Sequence, residues 1–191
     1  MPGPGLRVHG GEAGGRRLVV PPGVRPSEGV VKEAIFNVLG DEVLDATVLD
    51  LCAGSGALGI EALSRGAARA IFVDRGERSV TAIRRNLAAL GYEDRGRVFR
   101  AEAARWLEGR PADARRCGLV LLDPPYNDPV LERVLRLLDR LCAEGALVVA
   151  EHAPSQPVPA LRRLQTVRDR RYGDTQVTFL EAGPASPEAE P

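Results

Sequence analysis

Lysine, histidine and long apolar runs are scarce in this 191-residue chain. Lys32 is the only lysine, so arginine carries almost all of the positive charge, and arginine is the better residue for forked contacts with phosphate. Because the formal net charge is zero, the overall charge does not indicate a nucleic-acid binder. No apolar stretch reaches the roughly 18 residues of a membrane span, and no basic and apolar leader opens the sequence. We therefore expect neither a membrane protein nor a secreted one, and we expect a cytoplasmic location.

Cysteine is also rare, and its spacing excludes two classes of site. Cys52, Cys117 and Cys142 are odd in number and form no CxxC pair. Each lies in or beside an apolar run, which predicts buried, reduced thiols. No cluster of histidine and cysteine suggests a metal, so we predict no metal site.

From residue 46 onward the hydrophobic pattern alternates between strand and helix. Near-continuous apolar strands separated by amphipathic helices are typical of a parallel sheet that is covered on both faces. The predicted strands are 47–51, 70–74, 97–100, 119–123 and 146–151, and 166–181 predicts a closing antiparallel pair. The predicted helices are 57–65, 77–91, 103–109 and 129–142.

The amino-terminal part has a different pattern. The stretch RVHGGEAGGRRLVVP predicts a β-hairpin, with short strands around Val8 and at 18–20 joined by a glycine-rich turn. A helix follows, with Ser27 as its N-cap and Gly40 just past its end. We therefore divide the chain into an extension (1–40), a main domain (41–182) and a disordered tail (183–191).

A glycine-rich loop lies between the first predicted strand of the main domain and the helix that follows. VLDLCAGSGALG contains Gly54-x-Gly56-x-x-Gly59, which also matches the dinucleotide fingerprint. Asp50 distinguishes a dinucleotide ligand from a cationic one, because its carboxylate would repel a pyrophosphate and attract a cation. S-adenosylmethionine carries a sulfonium and an ammonium group, so we predict that it binds here. The alternative is that Asp50 only caps the loop or helix.

Two more carboxylates follow the next strands. Asp74 ends the second strand, where an acid can grip ribose hydroxyls. Glu102 follows the third strand and could accept a hydrogen bond from an adenine amino group, while the Ala103 backbone N–H could donate to the ring. In an open sheet these acids meet at the carboxyl edge, where ligands bind. The alternatives are an ordinary surface aspartate and a structural glutamate.

These motifs resemble a known family. The stretch DLCAGSGALGIEALSRGA, Asp74 and the later DPPY resemble class I S-adenosylmethionine-dependent methyltransferases of the amino-methylating branch. The hairpin, RPS…KEAIFNVLG and RYGDTQVTFLE are similar to the RsmD-type family, which methylates the guanine N2 amine of bacterial 16S ribosomal RNA. The resemblance runs from about residue 6 to 181. It implies an α/β Rossmann-like fold with a mostly parallel seven-stranded sheet and helices on both faces, preceded by the hairpin and helix.

The resemblance also implies site residues. The DPPY turn would be catalytic: the Asp123 carboxylate and the Pro124 carbonyl accept the two amine hydrogens, the two prolines keep these acceptors rigid, and Tyr126 stacks on the flipped base. Whether Asp123 also removes a proton stays open. The catalytic residues are Asp123, Pro124, Pro125 and Tyr126. The cofactor-binding residues are Asp50, Cys52, Ala53, Gly54, Ser55, Gly56, Asp74, Arg75, Glu102, Ala103 and Asp123.

The extension is the predicted RNA-facing surface. Its first 32 residues carry five positive charges against the two acids Glu12 and Glu28. We expect the hairpin and helix to lie beside the mouth of the DPPY site of a monomer that binds ribosomal RNA, naked or in a small-subunit particle. The predicted RNA contacts are Arg7, Arg16, Arg17, Arg25, Ser27, Lys32 and Arg171, with Arg170 beside the last.

Three other functions stay open. DNA adenine N6 and protein glutamine methyltransferases share DPPY-like chemistry, although a DNA enzyme usually needs a larger recognition region. A non-catalytic RNA-binding assembly module could keep the fold, although the intact Asp50, Gly54 and Asp123 argue against it. An NAD enzyme is disfavoured by Asp50 and by the lack of room for a substrate domain.

Overall fold

The computed structural model describes residues 6–22 and 29–184. Seven strands of the described chain form one sheet in the order β3-β2-β1-β4-β5-β7-β6. The first five pair in parallel, β7 is antiparallel to β5, and β6 is antiparallel to β7, which confirms the predicted fold class. The strands are β1 (Thr47–Leu51), β2 (Arg69–Asp74), β3 (Gly96–Arg100), β4 (Leu119–Leu122), β5 (Leu147–His152), β6 (Leu164–Tyr172) and β7 (Thr175–Ala182).

Six α-helices occur in the described residues, five of them predicted from the sequence. They are α1 (Gly29–Leu39), α2 (Ala57–Ser64), α3 (Glu77–Leu90), α4 (Ala103–Gly109), α5 (Pro111–Arg115) and α6 (Val130–Leu141). The unpredicted α5 is a single short turn that starts at Pro111, whose fixed φ suits the first helical position. None of the helices in 6–22 and 29–184 has the length and apolar character that crossing a membrane requires.

Two apolar clusters cover the two faces of the sheet. On one face Val8 and Leu18 of the extension share a cluster with α1, α2 and α3. On the other face α4, α5 and α6 pack through residues such as Leu107, Ala114 and Leu138. The extension therefore belongs to the main hydrophobic core. Cys117 and Cys142 are buried free thiols as expected, whereas Cys52 is only half-buried.

The predicted hairpin forms with very short arms. Arg7 and Arg17 form an antiparallel bridge, which is flanked by hydrogen bonds from the Val8 N–H to the Arg16 carbonyl at 3.0 Å and from the Leu18 N–H to the Leu6 carbonyl at 2.8 Å. No longer ladder forms in the described part of the extension. The reason is that side chains of α2 and α3 take backbone N–H groups that a ladder would need. Glu61 accepts from the N–H groups of His9 and Gly10, at 2.9 and 2.7 Å. The N–H groups of Ala13 and Val19 likewise donate to side chains, those of Ser64 and Asn86.

The strand directions determine where a site can form. Strands β1, β2, β3, β4 and β5 all end at one edge of the sheet, which we call the carboxyl edge. The chain reverses its winding between β1 and β4, and ligands bind at such a switch point in open α/β sheets. Because β6 runs parallel to β5, Tyr172 at its end also lies at the carboxyl edge.

Candidate active site

A cavity of about 500 Å³ opens at the carboxyl edge. Its walls come from the glycine-rich loop, the ends of β2 and β3, the DPPY turn, the end of β5 and the start of β7. Its volume lies in the range of small-molecule sites. The polar and loop residues that line it are Asp50, Cys52, Ala53, Gly54, Ser55, Asp74, Arg75, Gly76, Ser79, Glu102, Ala103, Asp123, Pro124, Pro125, Tyr126, Asp128, Glu151 and Thr175.

The glycine-rich loop turns sharply between β1 and α2. Gly54 and Gly56 have left-handed φ angles of 56° and 78°, and Cys52 has one of 61°. Gly56 is not among the residues that line the cavity, and its contact with the cofactor stays a prediction. It precedes α2 and faces the core, where an added Cβ would lie 3.1 Å from the Ile83 side chain. At Gly59 a Cβ would lie 2.4 Å from the Phe72 ring, so this glycine lets α2 approach the sheet.

Asp50 is buried at the floor of the cavity. Its Oδ2 accepts the backbone N–H of Gly59 at 2.9 Å, so it does anchor α2, as the structural alternative proposed. It also lines the cavity. Burial, and to a smaller extent the nearby charges of Asp123 and Asp74, raises the pKa of Asp50 to about 8, while the hydrogen bond from Gly59 opposes the shift. A cationic ligand would relieve this accumulation of negative charge.

Asp74 and Glu102 organise the loops at the ends of β2 and β3. Asp74 accepts backbone N–H groups from Gly54 at 2.8 Å and from Gly76 at 2.7 Å. Glu102 is the N-cap of α4 and accepts the N–H groups of Ala104 and Arg105, both at 3.3 Å. Both acids also line the cavity. Both are therefore placed where a bound cofactor could reach them, and their contacts with ribose and adenine stay predictions.

The DPPY turn forms the opposite wall. Asp123 follows β4 directly, and its N–H donates to the Leu51 carbonyl at 3.4 Å. The Tyr126 hydroxyl makes a short hydrogen bond with the hydroxyl of Thr175, the first residue of β7, and this contact fixes the orientation of the ring. Gln156 secures the turn further, since it accepts the Asn127 N–H at 2.9 Å and donates to the Asp128 carbonyl at 2.8 Å.

Three polar residues of this wall, Asp128, Glu151 and Thr175, were not predicted from the sequence, and neither was Ser79 of α3. Glu151 of β5 and Thr175 of β7 both line the cavity and are nearly buried. Glu151 had a signal, because it ends an apolar strand in the same way as Asp123 does. Thr175 had none, because its place depends on the antiparallel pairing of β7 with β5.

The polar lining of the cavity is strongly acidic. Among the described residues, six carboxyl side chains line it, and Arg75 is the single basic residue that does so. The acids are Asp50, Asp74, Glu102, Asp123, Asp128 and Glu151. In the described ranges, no group of three or more His, Cys, Asp or Glu residues could hold a metal. The arrangement suits a positively charged organic ligand and opposes a pyrophosphate.

Lys32 is not a surface residue, which corrects its predicted RNA contact. Its side chain is fully buried, and its Nζ lies 2.8 Å from Oε2 of the equally buried Glu61. It also donates to the Arg7 carbonyl at 2.6 Å. Glu61 in turn accepts the His9 and Gly10 N–H groups and contacts Arg65 at 2.9 Å. We call this set of contacts around Lys32 and Glu61 the Glu61 clamp; it holds the extension on α2.

The other predicted RNA contacts fall in different places. The Arg16 guanidinium donates to the Ala89 carbonyl at 2.9 Å, near the end of α3. Helix α3 starts beside the cavity, so this point lies about 18 Å away along its axis, toward the opposite edge of the sheet. Arg7 and Arg17 are exposed, and Arg171 is exposed near the end of β6 at the carboxyl edge. Arg25 and Ser27 lie outside the described residues.

One side chain links the extension to the glycine-rich loop. The Asn86 amide of α3 donates to the carbonyls of Val19 and Ser55, at 2.9 and 3.0 Å. Its oxygen accepts the Val19 N–H at 2.8 Å. Because Ser55 lines the cavity, the extension supports the loop that we expect to hold the cofactor.

Comparison with known proteins places this geometry in a family. Residues 6–181 match the family described as Conserved hypothetical protein 95. The Bacillus subtilis protein YlbH is 38% identical over 183 residues, which cover 92% of this chain and 98% of that protein. The Escherichia coli strain K12 protein named Ribosomal RNA small subunit methyltransferase D is 36% identical over 162 residues, with coverage of 82% and 79%.

The solved structures agree with the sequence relatives. The structure of Escherichia coli yhhF superposes with a TM-score of 0.82 at 31% identity, covering 93% of this chain and 98% of that one. The fold of this chain therefore has a counterpart of known structure. The chain belongs to the family Conserved hypothetical protein 95, and its resemblance to the RsmD-type methyltransferases is confirmed.

Proposed function

We propose that this protein transfers a methyl group from S-adenosylmethionine to the exocyclic N2 amine of a guanine in small-subunit ribosomal RNA. The observation that carries the proposal is the Asp123–Tyr126 turn, which faces the glycine-rich loop across one acid-lined cavity. A cofactor held by the loop and a base held by the turn would meet inside that cavity. The methyltransferase name of the Escherichia coli relative supports the same reaction class and RNA.

The acidic half of the cavity supports the choice of cofactor. S-adenosylmethionine is a sulfonium with an ammonium group, and Asp50 lies buried where a cation would favour its ionised form. Asp74 would accept the ribose hydroxyls, and Glu102 with Ala103 would contact the adenine. The sulfonium supplies an activated methyl group, so the protein mainly has to position the amine.

The DPPY half supports transfer to an amine. Guanine N2 is a poor nucleophile because its lone pair is delocalised into the base. Hydrogen bonds from its two N–H groups to the Asp123 carboxylate and the Pro124 carbonyl would direct that lone pair at the methyl carbon. The N–C bond then forms as the C–S bond breaks, and the cationic product loses one proton to water or to Asp123.

Tyr126 would act as the platform for the base. Its hydroxyl is held by Thr175, so the ring keeps a fixed orientation at the cavity wall. A base on which an enzyme acts must leave its stack and is commonly held against an aromatic face. Such a stack contributes roughly 1–3 kcal/mol, enough to offset much of the cost of unstacking the base.

The RNA would approach along the carboxyl edge. Arg170 and Arg171 are exposed near the end of β6, beside the strand that carries Thr175. Arg7 and Arg17 of the extension would add contacts, with residues 1–40 acting as an RNA-facing extension of the catalytic domain (41–182). We further propose a cytoplasmic monomer that acts on RNA alone or in a small-subunit particle.

The decisive experiment uses a methyl-labelled donor with naked small-subunit RNA and with small-subunit particles, followed by nucleoside analysis. We expect label in N2-methylguanosine with the wild-type protein, and none with Asp123→Asn. Label in adenosine or only in protein would contradict the guanine assignment. RNA binding without any transfer would instead favour a non-catalytic assembly module.

The salt dependence of RNA binding tests the docking edge separately. Each phosphate contact removed lowers the slope of log K against log salt by about 1, so Arg170→Ala with Arg171→Ala should lower it by about 2. Arg16→Ala is the matched control, because Arg16 contacts α3 toward the opposite edge. An equal change in both proteins would contradict the proposed edge.

A further inference from the structure

Glu151 is a carboxylate of the cavity to which the proposed reaction assigns no role. It lies at the end of β5, is 5% exposed and lines the cavity together with the DPPY turn. A carboxylate has about four lone-pair sites on its two oxygens, so it can accept a hydrogen bond from a ligand in addition to its contacts within the protein. A ligand in this half of the cavity can therefore donate to Glu151.

Strand pairing places Glu151 next to Asp123. Leu122 of β4 pairs with Ala150 of β5, so the residues that follow them occupy the next position along the two parallel strands. Neighbouring strands lie roughly 5 Å apart, and paired positions point to the same face. The two carboxylates therefore stand side by side at the carboxyl edge.

The base platform faces the same place. Glu151 pairs with Val177 of β7, two residues from Thr175, and Thr175 holds the Tyr126 hydroxyl. A base stacked on Tyr126 with its amine at Asp123 would thus present the neighbouring part of its hydrogen-bonding edge to β5. In guanine the carbon that bears the N2 amine lies between N1, which carries a hydrogen, and N3, which carries a lone pair, so only N1 can donate to a carboxylate.

We propose that Glu151 is the residue that selects guanine, by accepting a hydrogen bond from N1–H. This inference rests on the proposed function and adds the specificity determinant to it. Asp123 and Pro124 accept hydrogen bonds from the two amine N–H groups, and the Glu151 carboxylate accepts one from N1–H, the third donor on this edge of the guanine. A purine whose N1 is unprotonated places a lone pair against the carboxylate, so it is rejected.

The test compares guanine with 2,6-diaminopurine, a base that keeps the N2 amine but has an unprotonated N1. The methylated position is first mapped with the wild-type protein, and RNA is then prepared with either base at that position. A well-placed hydrogen bond to a base edge discriminates by roughly 10- to 100-fold, so wild-type kcat/KM should favour guanine by about that factor. In Glu151→Gln the ratio should fall at least tenfold, since the amide can donate to N1.

Two controls separate specificity from structure. Glu181→Gln replaces an exposed carboxylate of the same sheet near the amino edge, and it should leave the ratio unchanged. Glu151→Asp keeps the charge and shortens the reach, so it should lower turnover yet still favour guanine. If Glu151→Gln does not fold, this variant decides: a turnover and a guanine preference that both equal those of the wild type overturn the proposal.

The outcomes distinguish the inference from the proposed function. An equal loss on both bases in Glu151→Gln, or a loss of donor binding of the same size, would overturn the specificity role alone. A wild-type protein that methylates no guanine would overturn the proposed function and this inference with it.

Discussion

Asp50 of β1 and Glu61 of α2 are two buried acids, and their negative charges are compensated in opposite ways. Asp50 faces the start of the helix among other acids, and burial raises its pKa to about 8. Burial alone would also raise the pKa of Glu61, but Lys32, the His9 N–H and Arg65 together hold it below its usual value. The Glu61 clamp is therefore compensated within the chain, whereas the acid cluster of Asp50, Asp74 and Asp123 is arranged for a cation from outside. The difference separates a structural charge from a functional one.

Removing the charge of the compensated group should have the largest effect. Glu61→Gln leaves the buried Lys32 without its counter-ion, and breaking a buried pair in this way costs about 3–5 kcal/mol. We expect the free energy of unfolding in urea to fall by that amount. Glu33→Gln is the matched control on α1, because Glu33 is exposed and should change stability by less than about 0.5 kcal/mol. Equal stabilities of the two variants would show that the clamp contributes nothing.

In the acid cluster, Asp123→Asn should act on turnover and leave the fold intact. The amide keeps the shape but is a poorer acceptor for the amine, so we expect kcat to fall about 100-fold or more. Donor affinity, measured by titration calorimetry, should stay within about threefold. Asp94→Asn, at an exposed aspartate away from the cavity, serves as the control for the loss of one carboxylate. Full activity of Asp123→Asn would refute its role.

Asp74→Asn should weaken the donor without abolishing turnover. Its carboxylate accepts two backbone N–H groups, and an amide oxygen can satisfy only one of them well. The cost of about 1–3 kcal/mol corresponds to roughly 5- to 150-fold in donor affinity. Asp74→Glu should bind the donor within about threefold of the wild type, because glutamate keeps two carboxylate oxygens as acceptors for these N–H groups. Weaker binding by Asp74→Glu than by Asp74→Asn would contradict this account.

The smallest expected effect is on the pH dependence of donor binding. A bound cation favours the ionised form of Asp50, so below its pKa of about 8 donor binding releases a proton. Donor affinity should therefore rise with pH, by about tenfold between pH 7 and 8.5, and level off above. Because the donor amine titrates nearby, the measurement compares wild type with Asp50→Asn, whose profile should lack this rise. Identical profiles would mean that the ionisation of Asp50 does not affect donor binding.

The same pKa has a consequence for stability without a ligand. Asp50 has its ordinary pKa near 3.8 in the unfolded chain and one of about 8 in the folded protein. Between these values the folded state binds more protons, so the free energy of unfolding falls as pH rises from about 4 toward 8. Asp50→Asn should reduce this decline in urea titrations at several pH values.

The sequence was sufficient for the parts of the site that follow strand ends directly. Asp50, Asp74 and Asp123 each end or follow an apolar strand, and parallel strands bring such positions to one edge. The position of Thr175 at the cavity could not be predicted, because it depends on which strand β7 pairs with. The burial of Lys32 was equally hidden, since its partner Glu61 lies on another helix and no periodicity connects them. The short extent of the hairpin was also hidden, because Glu61, Ser64 and Asn86 take N–H groups of the extension.

Strand β6 has a further consequence, because it is the last strand of the sheet. Its outer side offers N–H and C=O groups that another chain could extend into a continuous sheet. Residues 165–171 are all exposed, and Arg168, Arg170 and Arg171 are among them. These closely spaced positive charges oppose the approach of an identical edge from a second molecule. The irregular register of β6 near Thr166 also keeps this edge from being flat. The arginines that we assign to RNA thus also protect the free protein from edge-to-edge aggregation.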